Sequence, residues 1–131
     1  MCQINQKLIL CIDDDEDTCD LIVAILGMEG YQVDLASSIA EGLEKTKHNC
    51  YALILLDVQL LDGSGIELCR EIRLFDSKTP ILFYSGEGRE SHIQTALAAG
   101  AQGFLIKPVD PDDLLKKVNA HTQKEEHLAT Y

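Results

Sequence analysis

Positive charge is scarce in this sequence: 11 Lys and Arg stand against 22 Asp and Glu, a net charge of -11 over 131 residues. Phosphate backbones and anionic membranes repel such a surface, so neither direct nucleic-acid binding nor a membrane role is expected. No apolar run approaches the length of a membrane span. The short polar stretch from Met1 to Lys7 does not read as a secretion signal. Cysteine lacks pairing pattern: Cys2, Cys11, Cys19, Cys50 and Cys69 are odd in number, and none sits at C-x-x-C spacing. A disulfide framework or zinc site is therefore not expected, Cys11 and Cys69 read as small core hydrophobes, and a reducing cytoplasm is the fitting compartment. Repeats and low-complexity linkers are also missing. With 46% hydrophobic and 25% charged residues, the chain has ordinary globular composition. Its length suits one domain, 1–131, with a core over about 7–122.

What is present is an alternation. Leu8-Ile9-Leu10-Cys11-Ile12, Ala52-Leu53-Ile54-Leu55-Leu56, Ile81-Leu82-Phe83-Tyr84 and Gly103-Phe104-Leu105-Ile106 are continuous apolar runs, which read as strands buried on both faces. Gln32 to Ala36 alternates instead, as a strand nearer a sheet edge does. Helical patterns fill the gaps. Leu21, Ile22, Ile25 and Leu26 share a face, Ser38 and Glu41 have capping-box spacing, and Ile66 to about Phe75 fits a third helix. Ile93, Ala96 and Leu97 give a narrower stripe. Asp110-Pro111 opens the last helix, with Asp as cap and Pro at the first position. Five strand–helix units predict a doubly wound α/β fold, a five-stranded parallel sheet with helices on both faces.

In such a sheet, ligands bind at the carboxyl ends of the strands. The first strand ends in Asp13 and Asp14, the third in Asp57, the fourth in Ser85 and the fifth in Lys107. Three carboxylates, a hydroxyl and an ammonium are thus expected on one rim. Clustered carboxylates repel unless protonated or bound to a cation, and oxygen donors without Cys or His favour Mg²⁺, Ca²⁺ or Mn²⁺. Mg²⁺ takes one or two carboxylates together with phosphate oxygens, and a carboxylate can itself be the nucleophile that becomes an aspartyl phosphate.

These residues resemble the receiver domain of two-component response regulators. The matching pieces are Leu10-Cys11-Ile12-Asp13-Asp14, Leu55-Leu56-Asp57 with Gly63 and Gly65 downstream, Leu82 to Gly86, and Gly103 to Pro108. The resemblance implies a flavodoxin-like (βα)5 sandwich with strand order 2-1-3-4-5. It implies Asp57 as phosphoacceptor, served by a histidine kinase or histidine phosphotransfer protein. Mg²⁺, with Mn²⁺ as substitute, would be held by Asp14, Asp57, the Gln59 backbone carbonyl and, through water, Asp13. Lys107, Ser85 and Gly86 would meet the phosphoryl group, Ser85 and Phe104 would form a switch pair, and the Lys107-Pro108 bond is expected to be cis. Output would pass to a protein target at the fourth helix, fifth strand and fifth helix. Such a receiver catalyses only its own phosphorylation and dephosphorylation. Leu61 stands where the family commonly has Pro, Gly86 replaces the more usual Ala, and Phe104 the common Tyr. Gln59 and Glu87 occupy positions that tune phosphate lifetime.

Plainer readings accompany each residue. Asp13 to Asp17 equally suits a helix start, Asp15 and Asp17 suit caps, and Asp62-Gly63 is first a turn signal. Asp110, Asp112 and Asp113 suit the first turn of the last helix. His48, His92, His121 and His127 lack ligand spacing and read as surface residues. A hydrolase with an Asp nucleophile would place a second Asp two residues on, where this chain has Gln59. A flavodoxin-type cofactor domain needs a phosphate loop where Asp13-Asp14-Asp15 would repel phosphate. A receiver fold that no longer takes phosphate is the remaining alternative. Whether the chain acts alone or is one piece of a longer protein stays open.

Overall fold

The computed structural model describes residues 5–86 and 90–122, with backbone alone at 90 and 91. Three of the four continuous apolar runs become the inner strands, because a strand covered on both faces needs apolar side chains at every position; the fourth, Gly103–Ile106, is instead an edge strand with Ile106 exposed. The elements in order are β1 (Asn5–Ile12), α1 (Glu16–Gly27), β2 (Gln32–Ala36), α2 (Ile39–His48), β3 (Tyr51–Asp57), β4 (Gln59–Leu60), β5 (Gly63–Ser64), α3 (Gly65–Arg73), β6 (Ile81–Ser85), α4 (Glu90–Ala98), β7 (Gly103–Ile106) and α5 (Pro111–Thr122). The main sheet runs β2-β1-β3-β6-β7, with all its strands parallel. That is the 2-1-3-4-5 order expected, counted over the five long strands. The alternating strand β2 lies at the edge. The two-residue pair β4 and β5 is an addition, an antiparallel hairpin after the third strand that pairs Gln59 with Ser64.

The two-residue period of the strands sorts their side chains between two cores. Leu10, Ile12, Ile54, Leu56, Ile81 and Phe83 pack with Leu68, Cys69 and Ile72 of α3 and Ala96 of α4. Ile9, Cys11, Leu53, Leu55, Leu82, Tyr84 and Leu105 pack with Ile22 and Leu26 of α1 and Leu114 and Val118 of α5. Continued past the strand ends, the second parity reaches Asp13, Asp57 and Lys107; the first reaches Ser85.

Local chemistry sets the helix ends. Asp15 caps α1, its carboxylate accepting the Thr18 N–H. Ser38 caps α2, but Glu41 answers to the Ser37 N–H at 2.7 Å, one residue earlier than a capping box requires. The carboxylate of Asp62 also accepts the Ile39 N–H at 2.9 Å and the Ala40 N–H at 3.3 Å. The residue read as a turn signal therefore closes the start of α2 from a distant loop. At the end of α3, Arg73 donates to the Gly100 carbonyl at 3.0 Å, the Asp76 carbonyl at 2.9 Å and Gln102 Oε1 at 2.9 Å. This clamp ties α3 to the turn between α4 and β7.

Cys11, Cys19 and Cys69 are free and buried. Cys50 is disulfide-bonded, which corrects the expectation of no disulfide at that residue. His48 is exposed, whereas His92 and His121 are half-buried rather than on the surface. His127 and the tail from Glu125 lie outside the described residues. Among the described residues, no helix is long and apolar enough to cross a membrane.

Candidate functional site

The strand ends bring together the acids that the chain keeps far apart. Asp13, Asp14 and Asp57 each offer a carboxylate oxygen, and these atoms lie within 4.8 Å of one another. Lys107 reaches in from the end of β7, its Nζ 3.3 Å from Asp57 Oδ2 and 3.4 Å from Asp13 Oδ2. The Lys107–Pro108 peptide is cis. Three carboxylates against one ammonium leave an excess of negative charge, and every donor is a hard oxygen. The set fits a divalent cation such as Mg²⁺.

The three acids are held differently. Asp13 has no exposed side-chain surface. Its Oδ1 accepts the Asp15 N–H at 2.9 Å, and its Oδ2 accepts the Tyr84 hydroxyl at 2.8 Å as well as Lys107. Asp14 is half-buried, and its Oδ2 accepts the Leu61 N–H at 2.7 Å. A proline at position 61 has no N–H to give, so the departure at Leu61 supplies a hydrogen bond that the commoner residue would forgo. The Leu61 side chain itself is 93% exposed. Asp57 shows a tenth of its side-chain surface, and its Oδ1 accepts the Gln59 N–H at 3.4 Å.

Burial raises the Asp57 carboxyl above the ordinary carboxylate value, Lys107 pulls it down, and Asp13 pushes it up again. Burial opposes the charge on Lys107, but Asp57 and Asp13 outweigh it and raise the ammonium pKa. Burial first, then Cys11 and Asp13, push the Tyr84 phenol far up, so the hydroxyl keeps its proton and is a permanent donor.

A consequence for pH follows from Asp57. A carboxyl whose folded pKa is raised holds its proton more tightly when folded. It contributes stability below its unfolded value of 3.8, and that contribution is lost as pH rises through the folded value. At neutral pH the ionised carboxylate is a net cost in the metal-free protein. Asp57→Asn should therefore raise the thermal midpoint in EDTA by a few degrees near neutral pH, with the gain shrinking as pH falls towards 4. Melting curves across that range test it, and a gain that grows on acidification would contradict it.

Ser85 is buried at the end of β6, and its carbonyl accepts the Lys107 N–H at 2.9 Å. A Cβ built on Gly86 would meet nothing within 4 Å, so alanine fits there as well and the glycine answers no steric demand. Phe104 is half-buried against the α3/α4 core, its ring 6.4 Å from that of Phe83. Gln59 sits exposed in the hairpin, and Glu87 lies outside the described residues. Tyr84 is the site residue the sequence reading passed over. It shares parity with Leu82, and a hydroxyl-bearing ring in an aliphatic run was its signal.

Residues 9–119 match the response regulator receiver domain. The chain belongs to that family. Among curated relatives, this receiver is 35% identical over 129 residues to the transcriptional regulatory protein ZraR of Klebsiella oxytoca, covering 96% of this chain and 29% of the relative. It is 34% identical to the nisin biosynthesis regulatory protein NisR of Lactococcus lactis subsp. lactis, covering 90% and 51%. The receiver thus spans between about a quarter and a half of the length of the curated relatives it matches. In structure it resembles a CheY-like response regulator receiver domain protein from Methanospirillum hungatei JF-1, with TM-score 0.86, 33% identity and coverage of 92% and 97%. A two-component response regulator from Clostridium difficile matches with TM-score 0.86 and 34% identity, covering 91% and 98%. Receivers generally bind Mg²⁺ through such an acidic cluster and partner with histidine kinases.

Proposed function

We propose that Asp57 accepts a phosphoryl group from a phosphorylated histidine of a kinase or phosphotransfer protein, in a Mg²⁺-dependent step, and that the receiver signals by the resulting change in shape. The observation that carries this reading is the convergence of three carboxylates and one lysine at the ends of β1, β3 and β7. Asp13, Asp14, Asp57 and the Gln59 backbone carbonyl are the residues to hold Mg²⁺, or Mn²⁺ in its place. Asp13, with both oxygens already accepting protein donors, suits contact through a water. When bound, the cation supplies positive charge opposite the phosphoryl oxygens.

An Asp57 carboxylate oxygen attacks the phosphorus, the bond to the histidine nitrogen breaks, and its electron pair leaves with the imidazole. Lys107 stabilises the transferring oxygens. Ser85 then draws toward the phosphate and Phe104 turns into the space it leaves, altering the face formed by α4, β7 and α5 for a protein target. The receiver turns over no separate metabolite. Its net charge of -11 supports a domain that does not itself contact nucleic acid.

Intact mass after acetyl phosphate treatment tests this. We expect a single phosphoryl addition with Mg²⁺ and none with EDTA. A folded protein that takes up none under either condition, and none from a phosphohistidine donor, would favour a receiver fold that serves only as an interaction module.

A further inference from the structure

We infer that Tyr84 is a positioning residue for this site: its hydroxyl fixes Asp13, and its ring carries Lys107. The inference rests on the phosphoryl-transfer reading above. Tyr84 has no exposed surface and sits on β6 one residue before Ser85. Its parity with Leu82 sends it to the α1/α5 side, under the floor of the acid pocket. There its hydroxyl donates to Asp13 Oδ2 at 2.8 Å. The Lys107 Nζ stands over its ring, 4.8 Å from the centroid. One side chain thus touches two charged neighbours of Asp57, Asp13 and Lys107.

The hydrogen bonds fix directions. The phenol has one proton, and the carboxylate can only accept, so that proton goes to Asp13. The Cys11 thiol, 3.3 Å from the same oxygen, is then the donor to Tyr84. Asp13 cannot turn Oδ2 outward without abandoning a buried donor, which costs the desolvation of that hydroxyl. The carboxylate is therefore held still before any cation arrives. Removing a group that orients a metal-holding side chain in this way typically weakens metal affinity by about tenfold or more. The ring face, in turn, gives the ammonium a favourable seat as it extends to Asp57.

Substitution isolates the hydroxyl half. Tyr84→Phe deletes the hydroxyl and keeps the ring. Calorimetric titration with Mg²⁺ should show binding weakened by roughly tenfold. Cys11→Val removes the thiol on the other side of the hydroxyl and should leave Mg²⁺ affinity unchanged. A hydroxyl with only a structural role would lower the melting midpoint and leave Mg²⁺ affinity where it was. Tyr84→Phe that binds Mg²⁺ as wild type does would overturn the inference. So would Cys11→Val weakening the metal equally, since the effect would then be general core disturbance. Wild type that binds no Mg²⁺ would overturn the phosphoryl-transfer reading along with it, so the two failures are distinct.

Discussion

Asp57→Asn should take up no phosphoryl group from acetyl phosphate at any Mg²⁺ concentration, while keeping the wild-type fold. The loss should be complete, because the amide has no carboxylate oxygen to attack phosphorus and, among the described residues, no other acid is placed to replace it. Asp13 has both oxygens committed and no exposed side-chain surface. Asp14 has one oxygen tied to the Leu61 amide, and Lys107 pairs with Asp13 and Asp57. Asn and Asp are nearly the same size, so packing around the end of β3 is preserved. Intact mass on wild type and variant, with circular dichroism to confirm the fold, decides the matter. Phosphorylation of the variant to the wild-type level on another residue would remove Asp57 from its role.

Gly65→Ala should cost about 3 kcal/mol of stability, at the upper end of what overpacking usually does. A Cβ there would stand 2.0 Å from the backbone oxygen of Asp57, 3.0 Å from its carbonyl carbon and 3.3 Å from Leu56 Cγ. Backbone cannot swing aside as a side-chain tip does. Gly65 also donates its N–H to the Val58 carbonyl at 2.7 Å, so retreat from Asp57 breaks a bond that closes the hairpin. The thermal midpoint should fall by about 10 °C for a domain of this size, and labelling should slow because the clash bears on the peptide of Asp57 itself. Gly27→Ala is the control. Its Cβ would meet nothing within 4 Å, and the same chemical change at the end of α1 should be neutral or slightly stabilising. Equal midpoints for the two variants would refute the prediction.

Much of this architecture is written in the order of residue types. A strand with helices on both sides has no solvent face to spend on polar residues, so Leu53 to Leu56 announce themselves. The acid that ends such a run, Asp57, is conspicuous for the same reason. The edge strand β2 was legible from its alternation and the start of α2 from Ser38 and Glu41. What stayed hidden depends on contacts across long stretches of chain. Nothing near Asp62 tells that its carboxylate closes α2, 23 residues back, and nothing near Leu61 points to Asp14. The hairpin of β4 and β5 is only two residues to a side, too short for any periodicity to register. Tyr84 was counted as one more apolar strand residue, because its polar tip finds a partner only after β1 and β6 flank β3. The pairing state of Cys50 likewise depends on geometry that spacing does not encode.

The Arg73 clamp gives α4 the mechanics of a lever. Its far end is anchored: the guanidinium grips the Gly100 carbonyl and the Gln102 side chain, and the Cys69 thiol donates to the Ala99 carbonyl at 3.4 Å. Its near end follows Ser85 and Gly86 at the rim of the site. Under the proposed switch, a push beginning at Ser85 would therefore tilt the helix about its anchored end at Gly100 instead of sliding it along the sheet. Travel would then be greatest at the start of α4 and die away toward Ala98, so a partner reading this face would gain most by gripping the first turn of the helix.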